Sequence, residues 1–196
     1  VIFLLFLAAG LAKITADRTA TAMQVTESNP MTGLEGRASL LFNLSNALTS
    51  SPEFFGAEGR PGNIVGMPFQ MKSYQLSSPT HFGTCGNTDF LESQALPTKP
   101  KTIPLAALWT ALIDGLNPIW PSRISLSGIA LGDVWPCPAL AQNVPVTGNE
   151  SDILVPFHKL TQWLTYSLIE IFQKVLGWNI QGLEDMTGLP EYRNGI

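Results

Sequence analysis

Six apolar residues, Leu105, Leu108, Trp109, Leu112, Ile113 and Leu116, recur at i, i+3, i+4, i+7, i+8 and i+11, and this spacing restricts the fold more than any other feature of the chain. At about 100° per residue they gather on one side of a helix, and such a side must be covered by another element. Thr102 is placed to cap this helix and Pro104 suits its first turn, while Asn117-Pro118 ends it. Two further segments share the period. In "MTGLEGRASLLFNLSNAL", Leu34, Leu41, Leu44 and Leu48 keep helical spacing, and Thr32 and Glu35 have the separation of a capping box, which predicts a helix from about Gly33 to Thr49. In "VPFHKLTQWLTYSLIE" and its continuation, Leu160, Leu164, Leu168, Ile171, Phe172 and Val175 form an anchoring stripe, and Lys159, Gln162, Tyr166, Glu170 and Gln173 form a second, polar one. That helix is expected from about Pro156 to Leu176, with Gly177 as its stop.

What lies between these helices is irregular. Residues 1–12, "VIFLLFLAAGLA", read as helix and are followed by a polar connector to Asn29-Pro30. Residues 50–101 are rich in Gly, Pro, Ser and Thr, and a stretch of that length is either functional or partly disordered. "RISLSGIALGDVW" fits a hairpin turning at Ser127-Gly128. Near the end, Asp185 or Thr187 could cap a short helix with Pro190 in its first turn. Helices joined by long Pro-rich connectors predict one domain that is mainly α, an irregular orthogonal helical array with one small β-hairpin.

Composition narrows the function classes. Charged residues make up 13% of the 196, against roughly 25% in ordinary soluble domains, so much of the surface is neutral or covered. Only 11 Lys and Arg are present, without a basic run, at a net charge of −4, which argues against nucleic acid as a partner. The two histidines, His81 and His158, rule out a His-rich metal site, and "HFGTC" (His81, Cys85) offers two ligands at most, so neither a metal nor a cofactor is expected. Cys85 and Cys137 fit a reduced intracellular chain most simply, with one disulfide as the alternative. The apolar start has the length of a signal-peptide core but lacks a basic flank and is too short to span a bilayer. The reading preferred here is a buried helix in a chain that, beginning without Met, is a fragment or processed product.

The strong catalytic signatures are silent: there is no Walker loop, dinucleotide fingerprint, nucleophile elbow or H-E-x-x-H. Three polar clusters remain, "GLEGR" (Glu35, Arg37), "LGDVW" (Asp133, Trp135), and the helix stripe together with "PEYRNG" (Glu191, Tyr192, Arg193, Asn194). Each has a plain structural alternative. Glu35 caps a helix, Arg37 is a solvated first-turn side chain, Asp133 closes a turn, and the stripe is a wet helix face. Trp163 and Tyr166 beside Gln162 are poor choices for water, however, and a pocket wall explains them better. Such a wall suits a small ligand with a flat ring or urea-like plane, with Trp163 and Tyr166 against it and Gln162 reading its donors and acceptors. Arg193 and Lys159 would hold a phosphate, and His158, Tyr192 and Arg37 are further candidate substrate contacts. Glu170, Asp133 or Glu191 could then stabilise an oxocarbenium ion or activate water.

"NPMTGLEGRASLL", "LIDGLNPIWPSR" with "LGDVWP", "VPFHKLTQWLTYSLIE" and "MTGLPEYRNG" resemble, in order, motifs of the uracil-catabolism family of fungi and their bacterial relatives. The match covers most of residues 23–196, and residues 1–22 are not placed in it. The resemblance implies a cytoplasmic protein, also nuclear in some members, that acts in pyrimidine degradation for nitrogen utilisation on a pyrimidine-derived small molecule. It also implies a longer parent protein, with an N-terminal half and a C-terminal end beyond this chain, and a fragment inactive by itself. "KLTQWL" and "MTGLPEYR" are also distantly similar to the "KRAQ" and "LT…DYR" patterns of queuosine-nucleotide N-glycosidases, which implies a fold like that of helix-hairpin-helix glycosylases and a hydrolase acting on a product such as ribosyl-urea phosphate. The glycosidases' catalytic aspartate would fall at Ser167, leaving Glu170 as its substitute. The alternative is a non-catalytic scaffold for a pathway enzyme.

Overall fold

In the computed structural model, the described residues are 8–65, 90–121, 124–143 and 149–189. They form helices α1 (Ala8–Leu11), α2 (Ala16–Ala22), α3 (Leu34–Ser50), α4 (Pro52–Phe55), α5 (Phe90–Ser93), α6 (Leu105–Leu116), α7 (Pro138–Asn143) and α8 (Lys159–Leu176). Six short strands pair in twos: β1 (Thr102–Pro104) with β6 (Asn179–Gln181), β2 (Ser125–Leu126) with β3 (Ile129–Ala130), and β4 (Val134–Pro136) with β5 (Leu154–Pro156). The protein is mainly α with small two-stranded pairs, as its periodicity predicts.

Leu105, Leu108 and Leu112 of the periodic face of α6 are buried at the centre of the core, with Ala111 beside that face, together with Leu48 of α3, Phe54 and Phe55 of α4, and Ile169 and Phe172 of α8. Trp109 and Ile113 of the expected face are half-buried and lie outside this cluster, so the helix is turned toward its Ala111 side. Gly115 continues that face because a larger residue has no room, and a Cβ there would stand 2.9 Å from Cε2 of Phe55. Phe54 in turn meets Phe90 edge-on, with centroids 4.8 Å apart. At the other end of the core, buried Ser45 of α3 donates to the Ala8 carbonyl (2.7 Å), which also accepts from Ala12 N (2.9 Å), so α3 is tied to the first residue of α1.

The hairpin turns at Ser127 (φ 53°) and Gly128 (φ 80°), the two positive φ values that a two-residue hairpin loop requires. Gly177 ends α8 in the left-handed region (φ 65°). Among the described residues, no helix is long and apolar enough to cross a membrane.

Several local expectations are corrected. Helix α3 forms, but Gly33 (φ 70°) occupies its cap position and no side-chain cap bond is made, so Thr32 and Glu35 form no capping box. Thr102 is not a helix cap; it opens β1, which runs parallel to β6 with Ile103 opposite Ile180. The polar connector after residue 12 contains α2, capped by the Thr15 side chain accepting from Arg18 N at 3.2 Å. Leu183–Asp185 is a 3-10 turn, while Pro190 lies outside the described residues. Asn43 is half-buried and donates to the Ile119 carbonyl at 3.3 Å. Cys137 is a free thiol; His81 and Cys85 lie outside the described residues.

The largest correction concerns which side of α8 is buried. Gln162, Thr165, Ile169 and Phe172 face the core, whereas Leu160, Ile171 and Val175 of the expected anchoring stripe are exposed. The helix is turned by roughly the angle of one residue, 100°, from the orientation that hydropathy alone favours.

Candidate functional site

The site is built where β4, β5 and the start of α8 meet. In the antiparallel β4–β5 pair Val134 stands opposite Pro156, so the residue before one strand meets the residues after the other. The Asp133 carbonyl accepts from Phe157 N (2.9 Å) and His158 N (3.1 Å). Its carboxylate then reaches the helix: Oδ2 accepts from Lys159 N at 2.9 Å, and Oδ1 accepts from Trp135 Nε1 at 2.8 Å. His158 occupies the cap position but makes no side-chain cap bond. Asp133, remote in sequence, supplies the negative charge that a helix start favours.

His158 adopts φ 43° and ψ 38°, a left-handed conformation that is uncommon for a residue with a side chain and that clusters at functional positions. Its ring meets Trp109 of α6 edge-on, with centroids 6.2 Å apart. Burial lowers the imidazole pKa from its ordinary value of 6.5, and the attraction of Asp133 opposes that shift without cancelling it. A neutral imidazole beside a carboxylate can accept a proton and return it. Gly132 adopts φ 70°, a left-handed conformation that favours glycine. A Cβ there would sit at ordinary contact distance, 3.7 Å from Trp120 Cδ1, 3.8 Å from Asn117 Oδ1 and 3.9 Å from His158 Cε1, so it is the backbone and not space that asks for glycine. Asn117 also fastens the hairpin to the end of α6 by donating to the Ala130 carbonyl at 2.9 Å.

The polar stripe divides into three environments. Gln162 is only 8% exposed. Its Nε2 donates to the Phe157 carbonyl (3.1 Å), and its Oε1 accepts from Thr187 Oγ1 (2.9 Å). Tyr166 donates to the Thr187 carbonyl at 2.7 Å, so the two side chains clasp the segment that leads into "LPEYR". Trp163 is exposed beside them. Glu170 lies in solvent, paired with Lys174 at 2.5 Å, and the hydrogen bond from that lysine, followed by its charge, holds the carboxyl below the usual carboxylate range.

The structure thus brings Asp133, His158, Lys159 and Gln162 together and leaves Glu170 two turns further along the helix. Arg37 is exposed in the first turn of α3, and among the described residues no hydrogen bond or ion pair joins it to the cluster. Glu191, Tyr192 and Arg193 lie outside the described residues. Sequence reasoning missed Trp109 as a neighbour of His158, and Asn117 and Trp120 around Gly132. The signal was present in "NPIWP", a polar and aromatic run directly after an amphipathic helix. Among the described residues, no group of three or more His, Cys, Asp and Glu side chains is placed to hold a metal ion.

Comparison with known proteins gives this geometry a context. The chain is 36% identical over 190 residues to "Uracil catabolism protein 4" of Lachancea kluyveri, covering 94% of this chain and 37% of that protein. It is 35% identical over 182 residues to "Protein urg3" of Schizosaccharomyces pombe, covering 93% and 35%. The chain therefore spans little more than a third of the length of these curated relatives. No solved structure matches it, so the likeness to helix-hairpin-helix glycosylases rests on short motifs alone. A family described as "Protein of unknown function (DUF1688)" matches residues 6–196, and the chain belongs to that family.

Proposed function

We propose that the protein acts in uracil catabolism as a hydrolase that cleaves a ribosylated breakdown product of uracil, such as ribosyl-urea phosphate. The pathway is suggested by the name of the Lachancea kluyveri relative. The observation that carries the chemical part is that Asp133 holds the backbone N–H groups of His158 and Lys159 at the start of α8, with the half-buried imidazole of His158 within reach of its charge. Hydrolysis of an N-glycosidic bond needs a base for the attacking water and negative charge near the oxocarbenium ion that develops. A neutral His158 suits the first role and Asp133 the second. Lys159, in the first turn, and Arg193 would hold the phosphate, with Trp163 beside the ureido plane. Gln162 and Tyr166 fit a positioning role here, because their polar atoms are already engaged with Phe157 and Thr187. Glu170, solvated and paired with Lys174, is the carboxylate this reading favours least.

The test uses a family-length protein containing this sequence, incubated with ribosyl-urea phosphate, with urea release as the readout. Asp133→Asn keeps an oxygen for Lys159 N, and His158→Asn tolerates the left-handed backbone. Each is expected to lower kcat by about 10²–10⁴-fold with unchanged circular dichroism. No urea from the parent protein, with no binding by calorimetry, removes the substrate assignment. Full activity in both variants removes the site.

A further inference from the structure

The outward side of α8 is largely apolar, and the described residues leave it exposed. Leu160, Trp163, Ile171 and Val175 are 51, 59, 50 and 74% exposed, and at about 100° per residue they share an arc of roughly 120°. Scattered exposed apolar side chains are ordinary, but four on one side of one helix are a patch, and patches of this kind mark contact surfaces. Glu170 lies just outside the arc on the Trp163 side, and its partner Lys174 sits within it between Trp163 and Leu160, so the polar pair edges the apolar face from that side. Two further facts say what covers it. Charged residues are only 13% of the chain, less than a fully wetted surface of this size carries. The relatives extend far beyond the matched stretch, which is 37% of one and 35% of the other.

We propose that this side of α8 is the seat of the portion of the family polypeptide that lies outside these 196 residues. Trp163, Ile171 and Val175 lie on one ridge of i, i+4 spacing, the spacing that packs against another helix, so the occupant presents an apolar helix face of its own. This inference rests on exposure and relative length and does not depend on the reaction assigned above.

The experiment places the pair Ile171→Glu and Val175→Glu in this 196-residue chain and in a family-length protein that contains it. In the short chain both side chains already meet water, so Tm is expected to stay within about 2 °C while binding of the apolar dye ANS falls. In the family-length protein the same pair is expected to lower Tm by about 5–10 °C. Should that variant fail to fold, the milder pair Ile171→Ala and Val175→Ala is expected to give a smaller loss, again in the long protein alone. An unchanged Tm in the family-length protein overturns the proposal. An equal loss in both chains also overturns it, because a segment of the short chain would then cover the face. So does a family-length dimer that the pair converts to monomer at unchanged Tm, which would put a second copy there.

Discussion

Gln162 and Val175 belong to the same helix, and each occupies the surroundings that its hydropathy argues against. The amide is inside, bonded to Phe157 and Thr187, and the branched aliphatic side chain is in water, 74% exposed. A buried polar group is tolerated when its hydrogen bonds are made, and an apolar one remains outside when nothing present covers it. The contrast teaches that α8 is oriented by what surrounds its first turns, the Asp133 carboxylate and the Met186-Thr187 segment, as much as by its apolar residues. Ile169 and Phe172 suffice to hold the inner side.

Four measurements break or sharpen that contrast. Phe172→Ala removes the largest side chain of the inner side, where it packs on Trp178 with centroids 5.8 Å apart. A loss of about 3–5 kcal/mol is expected in denaturant unfolding, and a loss comparable to that of an outward residue would deny that the inner side carries the helix. Gln162→Leu puts an apolar side chain one heavy atom smaller in the same place but strips partners from the Phe157 carbonyl and the Thr187 hydroxyl. About 1–3 kcal/mol should be lost, despite the gain in hydropathy; a stabilised variant would mean that the clasp is absent in solution.

His158 gives a smaller, pH-dependent effect. Its folded pKa is depressed by burial, so between the folded value and 6.5 the unfolded chain binds more protons. Its contribution is full above about 6.5 and is lost as the pH falls below that value toward the folded pKa. The slope should stay well under the 1.4 kcal/mol per pH unit of one whole proton, roughly, because the ring is half exposed. It should vanish in His158→Asn, as read by Tm across pH 4.5–7.5, a range chosen around that value. A slope that survives the substitution assigns the proton elsewhere. Glu170→Gln should change Tm least of all, since the Lys174 pair is solvated on both sides. A clear drop would show that Glu170 has a partner other than water and Lys174.

Periodicity made α3, α6, α8 and the hairpin legible, because each repeats its signal over several turns or fixes it with two turn residues. The three-residue strands β1, β4, β5 and β6 are too short to show alternation, and α2 is too polar to show a stripe. The face of α8 was misread for a related reason. Thr165 is fully buried and bonds back to the Thr161 carbonyl at 2.8 Å, and Gln162 is satisfied by residues distant in the chain, so neither looks like a core position when only hydropathy is counted. Asp133 and His158 could be picked out as polar residues in apolar surroundings. Their pairing could not, because it follows from the register of Val134 on Pro156. Asn117 and Trp120 enter through Gly132, whose missing side chain carries no pattern.

The parallel ladder of β1 and β6 has a consequence for the order in which the molecule can be completed. Ile103 leaves the ribosome well before its partner Ile180. Until Asn179–Gln181 arrives, the edge of β1 and the Trp178 pocket beneath Lys101 stand open on the nascent polypeptide. A translation product stalled ahead of Trp178 is thus the species that a holdase chaperone would capture, whereas one released after Gln181 has closed that gap for itself.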